Sequence, residues 1–149
     1  RVDALAREHW ARFGRNYYAR HDYEAVESES ANALIAELTQ ALPSLPGRTV
    51  GPLTVAGADS FSYTDPVDGS VSRNQGVRIL FADGSRIVLR LSGTGTEGAT
   101  LRLYLERYVA GPEGLDHDAQ LALAPVIRAA HLLAGIAVHT GRQAPDVIT

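Results

Sequence analysis

Val77-Arg78-Ile79-Leu80-Phe81-Ala82 and Ser85-Arg86-Ile87-Val88-Leu89-Arg90-Leu91 are two apolar runs separated only by Asp83-Gly84. So short a link cannot carry the chain back to begin a parallel strand, which needs a crossover of about a dozen residues or more. The two runs must close on each other as an antiparallel hairpin, and Asp-Gly is a strong two-residue turn signal. With a two-residue loop, Leu80 opposes Ile87 and Ile79 opposes Val88. Both faces of the pair then carry apolar side chains, so these strands are expected at the centre of a sheet.

The surrounding sequence extends the sheet and adds helices. Thr100 to Glu106 alternates with period two: Leu101, Leu103 and Leu105 fall on one face and Thr100, Arg102 and Tyr104 on the other. Leu53 to Ala56 and Phe61 to Thr64 read as two further short strands, and Asp65-Pro66-Val67-Asp68-Gly69 as a turn. Upstream the period is helical. Val2 to Phe13 suits a helix that Gly14 stops, and residues 15–21 read as a connector. Asp22 is placed to cap a second helix, on which Ala31, Leu34, Ile35, Leu38 and Leu42 form an apolar stripe ended by Pro43 and Pro46-Gly47. Downstream, Asp116 or Asp118 can cap a helical region running to about His139, with a restart or kink at Pro125 and an irregular tail from Gln143 to Thr149. Helices at both ends and antiparallel strands between them predict an α+β fold, an antiparallel sheet flanked by helices. Residues 22–149 are expected to form one domain, with 1–21 as a helix and linker leading into it.

Composition limits what such a domain does. At 149 residues and 45% hydrophobic there is material for one core. The net charge of −3 argues against a surface built to neutralise nucleic-acid phosphates. No apolar run is long enough for a bilayer span, so neither nucleic acid nor membrane is an expected partner. The absence of cysteine excludes disulfides and thiolate metal sites and suits the cytoplasm. The absence of methionine, even at the start, is read as the mark of a piece of a longer polypeptide, a processed small protein being the alternative.

Gly93-Thr94-Gly95-Thr96-Glu97-Gly98 fits G-x-G-x-x-G, the pattern of dinucleotide-binding turns. That pattern needs a helix after the glycines, on whose N-terminus the pyrophosphate rests. A strand follows instead, and no Lys-Ser/Thr completes a P-loop. The remaining reading takes Ser92 to Gly98 as a loop between strands. Glycines there let successive N–H groups converge on an anion. Ser92, Thr94 and Thr96 add hydroxyls, and Arg90 and Arg102 supply two planar guanidinium forks. Arg90, Ser92, Gly93, Thr94, Gly95 and Arg102 are the candidate phosphate cradle; a purely structural turn in a non-catalytic interaction module is the alternative.

RLSGTGTEGATLRLY resembles the phosphate-binding loop of the phosphoglucomutases, in the α-D-phosphohexomutase superfamily. GRNYYARHDYEAVESESAN resembles the segment that opens their C-terminal domain. SYTDPVDGSVSRNQGVRILFADGSRIVLRLSGTGTEGAT is the most specific block, and TGRQAPDVIT is similar to the family's C-terminus. The resemblance implies the fourth of four domains, with a TATA-box-binding-protein-like fold and no DNA binding. The other three domains of the parent chain would be its partners. It implies an intramolecular phosphotransferase of carbohydrate metabolism that interconverts α-D-glucose 1-phosphate and glucose 6-phosphate through glucose 1,6-bisphosphate. A phosphoserine in the first domain and Mg²⁺ in the second would do the chemistry, and a loop of the third would read the sugar. The fourth domain grips the non-reacting phosphate of the phosphosugar and closes over the cleft, with 15–21 as a natural hinge. In that family the positions of Arg90, Ser92, Gly93, Thr94, Gly95 and Arg102 bind this phosphate; Glu97 stands where small residues are common. Neither the catalytic serine motif nor the D-G-D-G-D metal loop is present, and Asp65 to Gly69 has the wrong spacing to be that loop. The piece alone is therefore expected to be inactive, with no catalytic residue, metal ligand or cofactor of its own.

Other polar residues have plainer roles. Asp116-His117-Asp118 reads as a solvated capping turn, and His131 and His139 are too far apart to be one ligand pair. Asp65 and Asp68 are read as turn residues rather than an acid–base pair. Trp10 and Phe13 are expected to pack within the domain.

Overall fold

The structure, a computed structural model, describes residues 2–64, 71–95, 98–110 and 118–149. In chain order the elements are α1 (Val2–Phe13), β1 (Arg15–Val26), α2 (Ser28–Ala41), a 3₁₀ turn (Leu42–Ser44), β2 (Thr49–Val50), β3 (Leu53–Thr64), β4 (Val71–Phe81), β5 (Arg86–Gly95), β6 (Gly98–Val109), α3 (Ala119–Ala122), α4 (Ala124–Ala134), α5 (Ile136–Thr140) and β7 (Val147–Ile148). Among the described residues the strands form one seven-stranded antiparallel sheet in the order β2-β3-β4-β5-β6-β1-β7, and the α+β expectation holds.

Helices α2 and α4 cover one face of this sheet. The stripe Ala31, Leu34, Ile35 and Leu38 meets the inward residues Val77, Ile79 and Phe81 of β4, Ile87, Leu89 and Leu91 of β5, and Leu101, Leu103 and Leu105 of β6 in one buried cluster. Burying this set against the helix stripe supplies the main drive to fold. Asp118 caps α3 by accepting from the backbone N–H groups of Gln120 and Leu121. Pro125 sits in the first turn of α4, where its missing N–H costs nothing. Among the described residues no helix is long and apolar enough to cross a membrane.

Several expectations are corrected. Residues 15–21 are not a connector but the first half of β1, paired along β6 from Arg15–Val109 onward. The boundary drawn at 21/22 falls inside β1, so residues 15–21 belong to the sheet. Asp22 caps no helix; it lies within β1, and α2 begins at Ser28. The two short strands predicted over 53–64 are one, β3, with register shifts after Val55 and Phe61. The tail is not wholly irregular, since Val147 and Ile148 pair with Asp22 and His21.

The central hairpin is out of the expected register by one residue. Ile79 opposes Ile87 and Leu80 opposes Arg86. Phe81 N–H donates to the Ser85 carbonyl, so three residues rather than two make the turn, and Gly84 takes φ +91°. Asp83 accepts from the Ser85 N–H and stabilises that arrangement. Such a three-residue loop needs a left-handed residue at its end, which glycine supplies. The slip moves apolar residues to one face: Ile79 and Ile87 are fully buried while Leu80 is 44% exposed on the other side.

α1 lies apart from this core. Val2, Leu5 and Phe13 are exposed, and the Arg15 guanidinium stacks 4.0 Å from the half-buried Trp10 ring. Trp10 thus packs within the domain, against Arg15 of β1, as expected, whereas Phe13 is 58% exposed.

Candidate functional site

The face of the sheet opposite the helices carries the candidate residues. Alternation along β5 turns Ile87, Leu89 and Leu91 inward, and so turns Arg86, Val88, Arg90 and Ser92 outward. On β6 the same rule turns Thr100, Arg102, Tyr104 and Glu106 outward. The antiparallel register sets Arg90 directly opposite Arg102 and Ser92 opposite Thr100. The two arginines predicted to flank the glycines are thus neighbours across one strand pair.

The glycine segment itself differs from the expected seven-residue loop. β5 continues through Gly95 and β6 begins at Gly98, with Gly95 paired to Gly98 and a register shift after Ser92. Gly93, Thr94 and Gly95 thus belong to a strand backbone near a hairpin tip. Thr96 and Glu97 lie outside the described residues, as does the Thr94 side chain.

Gly98 anchors the tip to β1. It has φ +92°, and a Cβ there would stand 2.9 Å from the Val26 carbonyl oxygen. The approach is close because β1 bulges between Tyr23 and Val26, where Ala25 takes φ +52°. The C-terminal segment holds this bulge. Glu24 N–H donates to Asp146 at 2.7 Å, Arg142 donates to the Ala25 carbonyl at 3.2 Å, and Arg142 pairs with Asp146.

The open face is rich in guanidinium groups. Arg20, Arg86 and Arg90 line a depression of about 610 Å³ together with Val88, Tyr104 and Glu106. Arg86 pairs with Glu106 at 2.6 Å. Farther along, Arg78 hydrogen-bonds Asp59 and holds its carboxyl below the usual carboxylate value. Asp22, opposite Arg102 on the neighbouring strand, is 4% exposed. Its Oδ1 lies 3.0 Å from Arg20 Nε and its Oδ2 4.0 Å from Arg102 Nε. Arg20 and Asp22 were missed as site residues. The alternation Tyr17, Ala19, His21, Tyr23 is the strand signal that would have placed them on this face.

The histidines lie elsewhere. His21 is buried on the helix side, bonded to Gln120 at 2.9 Å, and His131 meets the Tyr23 hydroxyl at 3.2 Å. Burial lowers both imidazole pKa values, against the smaller opposing effects of Gln120 and Asp22 on His21, while His21 adds to the lowering at His131. His139 pairs with Glu37 at 2.8 Å. Among the described residues no three acidic or histidine side chains gather as metal ligands. Asp65, Asp68, Asp116 and His117 lie outside those residues.

Residues 15–146 match the family model described as the C-terminal domain of phosphoglucomutase-1. The chain is 58% identical to the phosphoglucomutase of Rhizobium radiobacter, covering 99% of this chain and 27% of that protein. It is 46% identical to human phosphoglucomutase-1 and 47% identical to the cytoplasmic phosphoglucomutase of Pisum sativum, again over 99% of this chain and 27% of each. In three dimensions it matches the open form of the Paramecium phosphoglucomutase pp63/parafusin, with a TM-score of 0.79 and 42% identity over 99% of this chain and 25% of that one. The chain thus spans about a quarter of the length of the relatives it matches. With the family model covering β1 to β6, the glycine hairpin and most of the C-terminal segment, the chain belongs to the phosphoglucomutase family and corresponds to its C-terminal domain.

Proposed function

We propose that this chain grips the non-reacting phosphate of a phosphosugar for a phosphoglucomutase that interconverts α-D-glucose 1-phosphate and glucose 6-phosphate through glucose 1,6-bisphosphate. The observation that carries the reading is the register pairing of Arg90 with Arg102 beside the Gly93–Gly98 hairpin. Each guanidinium offers a planar fork of donors suited to phosphate oxygens. Ser92 and Thr94 add hydroxyls, and Gly93 and Gly95 let the backbone approach.

A clamp of this kind acts without bond-making. Phosphoryl transfer depends chiefly on positioning and electrostatics, and binding energy from a remote phosphate can orient the sugar at the reacting end. Because 15–21 is built into the sheet, closure over the cleft would carry the sheet and its hairpin as one body. The nucleophilic serine, the sugar-reading loop and the cytoplasmic setting belong to the proposed parent enzyme. The parent's Mg²⁺ finds no fitting ligand set among the described residues.

The test is a titration of the ¹⁵N-labelled chain with glucose 6-phosphate, alongside a mutase assay with glucose 1-phosphate and added bisphosphate. Amide shifts should cluster at 90–102, with no turnover. Shifts confined to other regions would refute the site, and turnover would refute the division of labour.

A further inference from the structure

The Arg90–Arg102 pair does not explain why a carboxylate lies buried in the same cross-strand row. Asp22 stands opposite Arg102 in the β1–β6 register, and its side chain is only 5% exposed. A buried carboxylate is costly unless it is paired. Its neighbours on this face are Arg20 and Arg102, whose side chains remain 38% and 42% exposed. Both approach through Nε, and both Nε atoms are buried without a well-aligned hydrogen bond. Asp22 Oδ1 likewise has no well-aligned partner, although Arg20 Nε is at ion-pair distance.

Resting on the phosphate reading, we propose that Asp22 is a positioning residue for the anion site. It draws the Nε edges of Arg20 and Arg102 inward and so presents their terminal nitrogens outward. A guanidinium has five N–H donors; committing the single Nε–H to Asp22 leaves four on the terminal nitrogens for an outside anion. Arg20 lines the same depression as Arg90, so one of the two aligned guanidinium groups opens onto the region beside Arg90; Arg102 faces Arg90 across the strand pair. The missing alignment of the Nε contacts fits a cluster that tightens when an anion arrives. The C-terminal segment supports Asp22 from the other side: β7 pairs with it, and Asp146 N–H donates to its carbonyl at 2.8 Å.

Asp22→Asn tests this through a difference in sign. Asparagine keeps the volume but offers one acceptor and turns a donor toward the second arginine. If Asp22 were only a negative charge near the site, its removal would tighten anion binding. If it positions the arginines, inorganic phosphate binding should weaken roughly tenfold, the scale of one charge-assisted hydrogen bond. The Arg20 and Arg102 Nε–H signals should then lose their response to phosphate. Unchanged or tighter binding with both signals still responding would overturn the proposal. A second measurement needs no variant: in the wild-type chain the Arg102 Nε–H should exchange with solvent more slowly than that of the exposed Arg48. Equal exchange would also overturn it. Arg90→Ala separates the two levels. If the wild type binds no phosphate, or Arg90→Ala binds as well as wild type, the phosphate reading fails and this inference with it. If Arg90→Ala loses binding while Asp22→Asn keeps it, only the positioning role fails.

Discussion

Arg90 on β5 and Arg102 on β6 stand directly opposite each other in the antiparallel register, and Asp22 on β1 continues the row on the far side of Arg102. Two cations are thereby held as neighbours, with a buried carboxylate beside one of them. Like charges directly opposite in a sheet are unfavourable. On the proposed reading, a bound phosphate would ease that repulsion.

Arg90→Ala should therefore weaken glucose 6-phosphate binding by about 1.5–3 kcal/mol, the value of hydrogen bonds to a charged group. Stability in urea should move by no more than about 0.5 kcal/mol, because Arg90 lies on the open face away from the core. An NMR or calorimetric titration paired with a urea melt reads both. Loss of stability without loss of affinity would contradict the assignment.

Gly98→Ala should destabilise the chain and disorganise the hairpin. The backbone conformation at φ +92° costs a non-glycine residue about 1–3 kcal/mol. The added Cβ would also stand 2.9 Å from the Val26 carbonyl, which is backbone and cannot swing aside. A lower urea midpoint is expected, with amide shift changes on both sides of the contact, at Ala25–Val26 and at the tip. An unchanged midpoint would show that the β1 bulge does not constrain the tip.

Ser85→Ala should be neutral or stabilising by up to about 1 kcal/mol. Ser85 is 1% exposed and its hydroxyl has no hydrogen-bond partner among the described residues. Its backbone N–H, which Asp83 accepts, is untouched by the change. A clear loss of stability in thermal melts would point to an unseen partner for that hydroxyl.

Stability should fall on mild acidification. Burial lowers the pKa of His21 and of His131 below the ordinary 6.5. The unfolded chain then binds protons at a higher pH than the folded one, so their contribution is complete above about 6.5. It is lost as pH drops from there toward each lowered folded value. Urea midpoints across that window should decline, and His131→Gln should flatten the decline. A flat profile in the wild type would show that these imidazoles stay accessible to protons.

Much of the architecture was written locally. The alternation of Leu101, Leu103 and Leu105, the stripe from Ala31 to Leu42, the cap at Asp118 and the restart at Pro125 each depend on near neighbours, and each matches the structure. The candidate arginines were legible for the same reason: a strand on either side of the glycines forces them to the ends of one hairpin. β1 carries a strand's alternation from Tyr17 to Tyr23, but that signal was outweighed because no tight turn leads to a partner nearby. Its pairing joins Arg15 to Val109, and Asp22, flanked by Glu24 and Glu27, carries the local signature of a helix cap.

The sequence by itself determined the antiparallel centre, the helix stripe that covers it and the chemistry gathered around Gly93 to Gly98, since periodicity and turn residues act over a few positions. Tertiary structure alone decided that the hairpin turns on three residues, that β1 lies between β6 and β7, and that Asp22 sits beside Arg102 rather than at the head of a helix. Those outcomes depend on contacts between segments distant in the chain. There, burying one continuous apolar face outweighs the local preference of any single residue.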